Sequence, residues 1–214
     1  MTTSHASALP LTLNGYTELP LGKIAAVVTY LEMLRPPPRR EGTDASPSPG
    51  PWALVPVGDD LDRYRSIYRR VGERWLWFSR LALGDAALRQ ILRHPEVDPL
   101  ILTRDGQDMG LLELDFRRPG ECEIVFFGVV PEAIGTGAGR FMMDEAVARA
   151  FARPIVRLWL HTCTLDHPAA MGFYLSCGFK PYKRAIEVAD DPRLMGLAAP
   201  TAAPHAPIIG PEQG

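Results

Sequence analysis

The sequence predicts an α/β (α+β) fold: a mixed, mostly antiparallel central sheet flanked by helices, with one parallel strand–helix–strand unit in its C-terminal half. Two observations carry this. Three runs of strand-forming residues, VDPLILTRDG, QDMGLLELDFRR and ECEIVFFGVV, follow one another between residues 95 and 131 with short turn signals between them, the pattern of an antiparallel meander. The third run then leads into a glycine-rich stretch, a helical sequence ending near Phe151, and a further apolar run, PIVRLWLH. A strand, a helix and a strand in that order place the two strands parallel.

The remaining elements follow in chain order. Residues 1–22 are weakly patterned, whereas IAAVVTYLEML (24–34) is β-branched and apolar enough for a buried strand. Arg35 to Pro51 is rich in proline and polar residues, which predicts a long exposed loop, because proline offers no amide to a ladder. WALVPV (52–57) reads as a short edge strand. Asp59 or Asp60 is placed to cap a helix through LDRYRSIYRRVG, whose Leu61, Tyr64, Ile67, Tyr68 and Val71 recur at helical spacing. ERWLWFSRLAL predicts a second short helix, and Asp85 is placed to cap AALRQILRH before Pro95. Toward the end, HPAAMGFYLSCG predicts a short helix stopped by Gly178, and FKPYKRAIEV a last strand. From 189 to 214 the chain is rich in Pro and Ala without a core pattern, so residues 23–188 are expected to form a single domain between an N-terminal segment and a tail.

Composition narrows the function. The chain has 214 residues and a formal net charge of −2, which gives no reason to expect nucleic acid or an anionic membrane as partner. Its cysteines, Cys122, Cys163 and Cys177, are odd in number and lack CxxC spacing, so no disulfide framework is indicated. The first twenty residues lack the basic and apolar regions of a signal peptide, and a cytoplasmic location is expected. His161, Cys163 and His167 lie close together but match no standard zinc spacing, so no metal is expected.

The most informative stretch is PEAIGTGAGR, with Gly135, Gly137 and Gly139 at the mouth of a helix. Glycine is a poor helix former. A helix N-terminus, however, presents unpaired N–H groups and a partial positive charge, and glycines admit an anion where Cβ atoms would block it. A Walker loop would require GK[ST] after the last glycine, but Arg140 and Phe141 follow here. A Rossmann loop would place its third glycine one position later.

VVPEAIGTGAGRFMMDEAV instead resembles the acyl-CoA pyrophosphate loop of the GNAT superfamily of acyl-CoA-dependent N-acyltransferases. The loop pattern falls on Ile134, Gly135, Thr136, Gly137, Ala138 and Gly139, with Ile134 where Arg or Gln is usual. CEIVFFGVV resembles the family's fourth strand. HPAAMGFYLSCGF resembles its closing segment at Ala170, Phe173, Tyr174, Gly178 and Phe179, with His167 where Asn is common.

The resemblance covers residues 97–188 and implies a GNAT fold, acetyl-CoA (or another short acyl-CoA) as co-substrate, and an amine acceptor, either a small molecule or a peptide amine. It also makes a homodimer one of the expected assemblies. Amine acylation needs a proton acceptor, a proton donor for the leaving thiolate, and an N–H aimed at the carbonyl oxygen. The resemblance places the proton acceptor at Glu123 and the proton donor at Tyr174, with the loop residues and His167 around the coenzyme; the main-chain N–H of Val129 or Val130, beside Gly128, is the candidate for the carbonyl oxygen, and Arg140 at the helix start is a candidate for a coenzyme phosphate. Glu113 and Asp115 are reserve carboxylates. Gly128, interrupting an apolar strand, suggests a bulge or room for a neighbouring tryptophan. Arg69, Arg70 and Arg74 with Trp75 and Trp77 fit either an acidic or aromatic acceptor or a solvated helix face. A non-catalytic acyl-CoA-binding module and transfer to oxygen remain open at this point.

Overall fold

A computed structural model of the chain describes residues 9–37 and 52–211. Most of the expected proline-rich loop, residues 38–51, lies outside them. Seven strands form one sheet: β1 (Lys23–Met33), β2 (Trp52–Pro56), β3 (Val97–Arg104), β4 (Gln107–Asp115), β5 (Glu121–Val129), β6 (Arg157–Cys163) and β7 (Lys180–Asp190). Their order across the sheet is β2-β3-β4-β5-β6-β1-β7. The meander β3–β4–β5 is antiparallel, β2 is an edge strand beside β3, and β5 and β6 are the parallel pair. β1 lies between β6 and β7, antiparallel to both. Its nearly continuous apolar run suits a strand with a neighbour on each side.

Four α-helices flank the sheet: α1 (Leu61–Gly72), α2 (Asp85–Leu92), α3 (Ala138–Phe151) and α4 (Ala170–Ser176). The Asp60 carboxylate accepts from the Arg63 N–H at 2.8 Å and so caps α1. Leu61, Tyr64, Ile67, Tyr68 and Val71 are all buried, as their spacing predicts. Successive β5 residues show that both sheet faces are covered. Phe126 packs on Tyr68 of α1, and Phe127 packs on Phe173 and Tyr174 of α4.

Three expectations are corrected. The second short helix is a single 3-10 turn, Glu73–Trp75, ended by Leu76 at φ 55°. The Trp77 ring folds back so closely that a Cβ on Gly72 would lie 2.5 Å from it. Asp85 does not cap α2, whose cap is Gly84; it pairs instead with Arg65 at 2.7 Å. The segment after Asp190 is packed against the domain. Arg193, buried, pairs with Asp191 and donates to the carbonyls of Ala202, Ala203 and Ala206. Ala202 and Ala203 then bury Leu76. The sequence shows no periodic core pattern here because the order rests on one arginine and a set of backbone carbonyls, which leave no hydrophobic repeat.

Candidate active site

The site begins where the parallel strands part. β5 and β6 pair only from Glu121↔Arg157 to Ile124↔Leu160. Beyond that point β5 continues beside β4 to Val129 and β6 beside β1 to Cys163. The register shifts between Glu113↔Phe126 and Leu114↔Ile124, leaving Val125 as the extra residue. A cavity of about 530 Å³ occupies the resulting wedge.

The bulge is therefore at Val125 and not at Gly128. A Cβ on Gly128 would overlap the Val71 side chain and stand 3.2 Å from the Trp77 ring, so this glycine makes room for α1 and a tryptophan. Gly128→Ala is expected to destabilise the fold by about 1–3 kcal/mol, as overpacking does. A denaturant midpoint equal to wild type would contradict the packing.

Backbone geometry sorts the two candidate amides. The Val130 N–H donates to the Met109 carbonyl at 2.9 Å, so it is not available as an oxyanion donor. Because Met109 and Val130 form a hydrogen-bonded pair, the next antiparallel pair, Gly110↔Val129, turns its N–H groups outward. The Val129 N–H thus faces the wedge. By the same alternation so does that of Phe127, opposite Leu112, a donor that the residue types alone do not reveal.

Gly135 and Gly137 sit at φ 78° and 87°, and a Cβ on either would meet nothing within 4 Å. The positive φ turns the chain so that Gly137 caps α3. Among the described residues, the N–H groups of Gly135, Gly137, Ala138, Gly139 and Arg140 donate to no carbonyl, and the first backbone bond of the turn is Phe141 N–H to Gly137 O. These donors lie beside the dipole of a 14-residue helix, the local chemistry of a diphosphate site. Thr136 turns its hydroxyl to the Ala133 carbonyl at 2.6 Å, and Ile134 is exposed beside the loop. Arg140 reaches Asp144 at 3.2 Å and the Cys177 sulfur at 3.7 Å.

Tyr174 is held by the rings of Phe127, Phe173 and Phe179 and lines the cavity. Burial pushes its phenol well above the ordinary value, so the hydroxyl is protonated at neutral pH. Among the described residues its hydroxyl has no hydrogen-bond partner. His167 lines the same cavity; its Nδ1 accepts from the Ala169 N–H at 3.0 Å, much as an asparagine oxygen would. Burial pushes the Cys163 thiol up to about 11, which keeps it from acting as a thiolate nucleophile.

Glu123 does not line the cavity. It stands one step behind His161, which does, with Oε1 3.7 Å from Nδ1. That carboxylate raises the His161 pKa above its ordinary value. In the sequence His161 stands out only as a metal ligand candidate; its position two residues beyond the Trp159↔Glu123 register is the signal that joins it to Glu123. Glu113 is fully buried, accepting from Tyr64 at 2.7 Å and paired with Arg80. Burial works against the charge of Asp115, yet Arg117 holds its pKa low. Both reserve carboxylates are therefore committed to arginines. Arg69, Arg70 and Arg74 are exposed outside this cavity, whereas Trp75 and Trp77 line it.

Comparison with known proteins identifies the family and the fold. The sequence pattern of the acetyltransferase (GNAT) family matches residues 62–179. Among solved structures, a protein of unknown function from Staphylococcus epidermidis superposes with TM-score 0.51 at 14% identity, covering 79% of this chain and 64% of that one. A GCN5-related N-acetyltransferase from Sphaerobacter thermophilus gives 0.56 at 16% identity, covering 78% and 52%. The ribosomal-protein-S18-alanine N-acetyltransferase of Escherichia coli gives 0.50 at 16% identity, covering 65% and 94%. The chain thus spans between half and two thirds of the length of the first two. At these identities the likeness is one of fold. No curated protein matches the chain.

Proposed function

Given that the chain belongs to the GNAT acetyltransferase family, whose members use acetyl-CoA, we propose that it transfers an acetyl or short acyl group from acyl-CoA directly to a primary amine. The carrying observation is that one cavity is lined by the glycines at the start of α3, by Tyr174 and by His161, which Glu123 backs from outside it. In this reading the amides of Gly135, Gly137, Ala138, Gly139 and Arg140 hold the diphosphate, and the wedge admits the pantetheine arm. The Val129 N–H, joined by that of Phe127, meets the carbonyl oxygen as it gains charge. Tyr174 protonates the departing sulfur. Glu123 serves as base through His161, whose imidazole is the group that faces the cavity.

The test is release of free thiol from acetyl-CoA with a panel of amines, alongside coenzyme A binding. Binding without amine-dependent release would favour a non-catalytic binding module, and release with alcohols alone would favour an oxygen acceptor.

A pH profile checks the base. Protonated His161 cannot accept a proton, so kcat/KM should rise with pH through a pKa above the ordinary histidine value of about 6.5. The groups facing His161 are Glu123 on β5, Tyr30 on β1, Glu187 on β7 and Asp166 in the loop after β6. Glu123→Gln removes the largest cause of the raised value, so the acidic limb should move to lower pH while maximal turnover falls. An unmoved limb would exclude the pair as the titrating base.

A further inference from the structure

The cavity is walled largely by rings, with Trp75 on the side of the glycine loop near Ile134. Tyr68, Trp75, Trp77, Phe78 and Phe126 line it, together with the apolar Ile24, Ala26, Ala189 and Pro192. The rings are fixed before any ligand arrives. Trp77 packs on Tyr68 and Phe126 at centroid distances of 5.7 and 5.2 Å, and its Nε1 points to Asp166 at 3.4 Å. Trp75 stands between His167 at 5.1 Å and His205 at 6.0 Å, the latter contributed by the packed C-terminal segment.

The charges are as uneven as the polarity. Among the described residues the cavity is lined by one lysine or arginine, Arg140, and that lies at the loop end. Of the two carboxylates that line it, Asp166 already accepts from the Thr162 hydroxyl and the Cys163 N–H, each at 2.8 Å. Glu187, exposed on β7, has no such partner among the described residues, and it faces the same space as His161.

We propose that the acceptor is a primary amine with a flat apolar body, an arylalkylamine in class, whose ring lies against Trp75, Trp77 and Phe78 and whose ammonium is drawn to Glu187 beside His161. This rests on the N-acyl transfer reading above. A polyol or peptide acceptor would leave its own donors and acceptors unpaired against these walls, at about 1–3 kcal/mol for each group. An aromatic cation gains ring contact and cation–π attraction instead, on surfaces that need no ordering. In the transfer the amine nitrogen forms its bond to the acyl carbon as the carbon–sulfur bond breaks. Before attack the ammonium passes one proton to His161, which releases it to solvent and leaves the nitrogen lone pair free; as the bond forms, the second nitrogen proton passes to the again neutral His161, and the thiolate takes the proton of Tyr174, which solvent restores.

The test uses the full chain with saturating acetyl-CoA and compares 2-phenylethylamine with n-butylamine, spermidine and an alanyl peptide. The expected kcat/KM for 2-phenylethylamine is at least about tenfold above each of the others, the discrimination available to one well-filled apolar pocket. Trp75→Leu should shrink that advantage, lowering kcat/KM for 2-phenylethylamine more than for n-butylamine. Glu187→Gln should raise KM for 2-phenylethylamine with coenzyme A affinity unchanged. As a readout independent of turnover, 2-phenylethylamine should quench tryptophan fluorescence saturably in the presence of coenzyme A. Faster turnover of spermidine or the peptide would overturn the acceptor class while leaving N-acyl transfer standing. Coenzyme A binding with no amine of any class acylated would overturn the transfer reading and the acceptor class together.

Discussion

Replacing Tyr174 by phenylalanine is expected to lower kcat by about 10²–10⁴-fold, the range contributed by a positioned general acid, with coenzyme A affinity and unfolding free energy close to wild type. The separation of effects follows from the packing. Phe127, Phe173 and Phe179 hold the ring, and phenylalanine keeps those contacts. The hydroxyl has no hydrogen-bond partner among the described residues, so deleting it orphans no buried group. The phenol, whose pKa burial raises, is protonated across the working range, so a proton is present at the site for the leaving sulfur. Turnover within twofold of wild type would remove Tyr174 from the chemistry. A large drop in stability would show that the hydroxyl has a structural partner.

Gly139→Asp should have an equally large effect in the other half of the site, weakening coenzyme A binding by about 100-fold or more, because it places a negative charge where we propose the diphosphate binds. The fold should not suffer. Gly139 is the second residue of α3, and a Cβ there would meet the Phe173 ring at 3.8 Å, an ordinary contact. An aspartate in the first turn of a helix is itself stabilising by about 0.3–1 kcal/mol. The variant should therefore melt at or above the wild-type temperature while losing its ligand. Gly139→Ala separates charge from bulk and should bind nearly as wild type does. Equal loss in both variants would mean that space, and not charge, governs the loop.

Much of this architecture is legible in the sequence because its signals are local. The stripe Leu61, Tyr64, Ile67, Tyr68 and Val71 marks α1 because helix burial repeats every three to four residues. The meander and the β5–α3–β6 unit can be read because turn residues and alternation are also local. The loop glycines are legible because a positive φ and an open helix end both require them. What is not legible depends on contacts far apart in sequence. Nothing in IAAVVTYLEML says that it inserts between β6 and β7, since an apolar strand suits any interior position. Gly128 carries the same letter whether it bulges or shelters Trp77. Val129 and Val130 differ only in hydrogen-bond phase against β4, which composition does not encode. The packing of the chain after Asp190 hangs on Arg193 and on carbonyls that every residue possesses. Glu113 and Glu123, both strand glutamates, are told apart by Arg80 and His161, which arrive from elsewhere in the chain.

The account turns on the free amides at the start of α3 receiving a diphosphate. Amide resonances of ¹⁵N-labelled protein, followed during titration with coenzyme A and separately with pantetheine, test it most directly. The expected result is that coenzyme A moves the Gly135, Gly137 and Gly139 signals strongly, while pantetheine, which lacks the diphosphate, moves Phe127 and Val129 and leaves the glycines in place. Glycine signals unmoved by saturating coenzyme A, or moved equally by pantetheine, would contradict it.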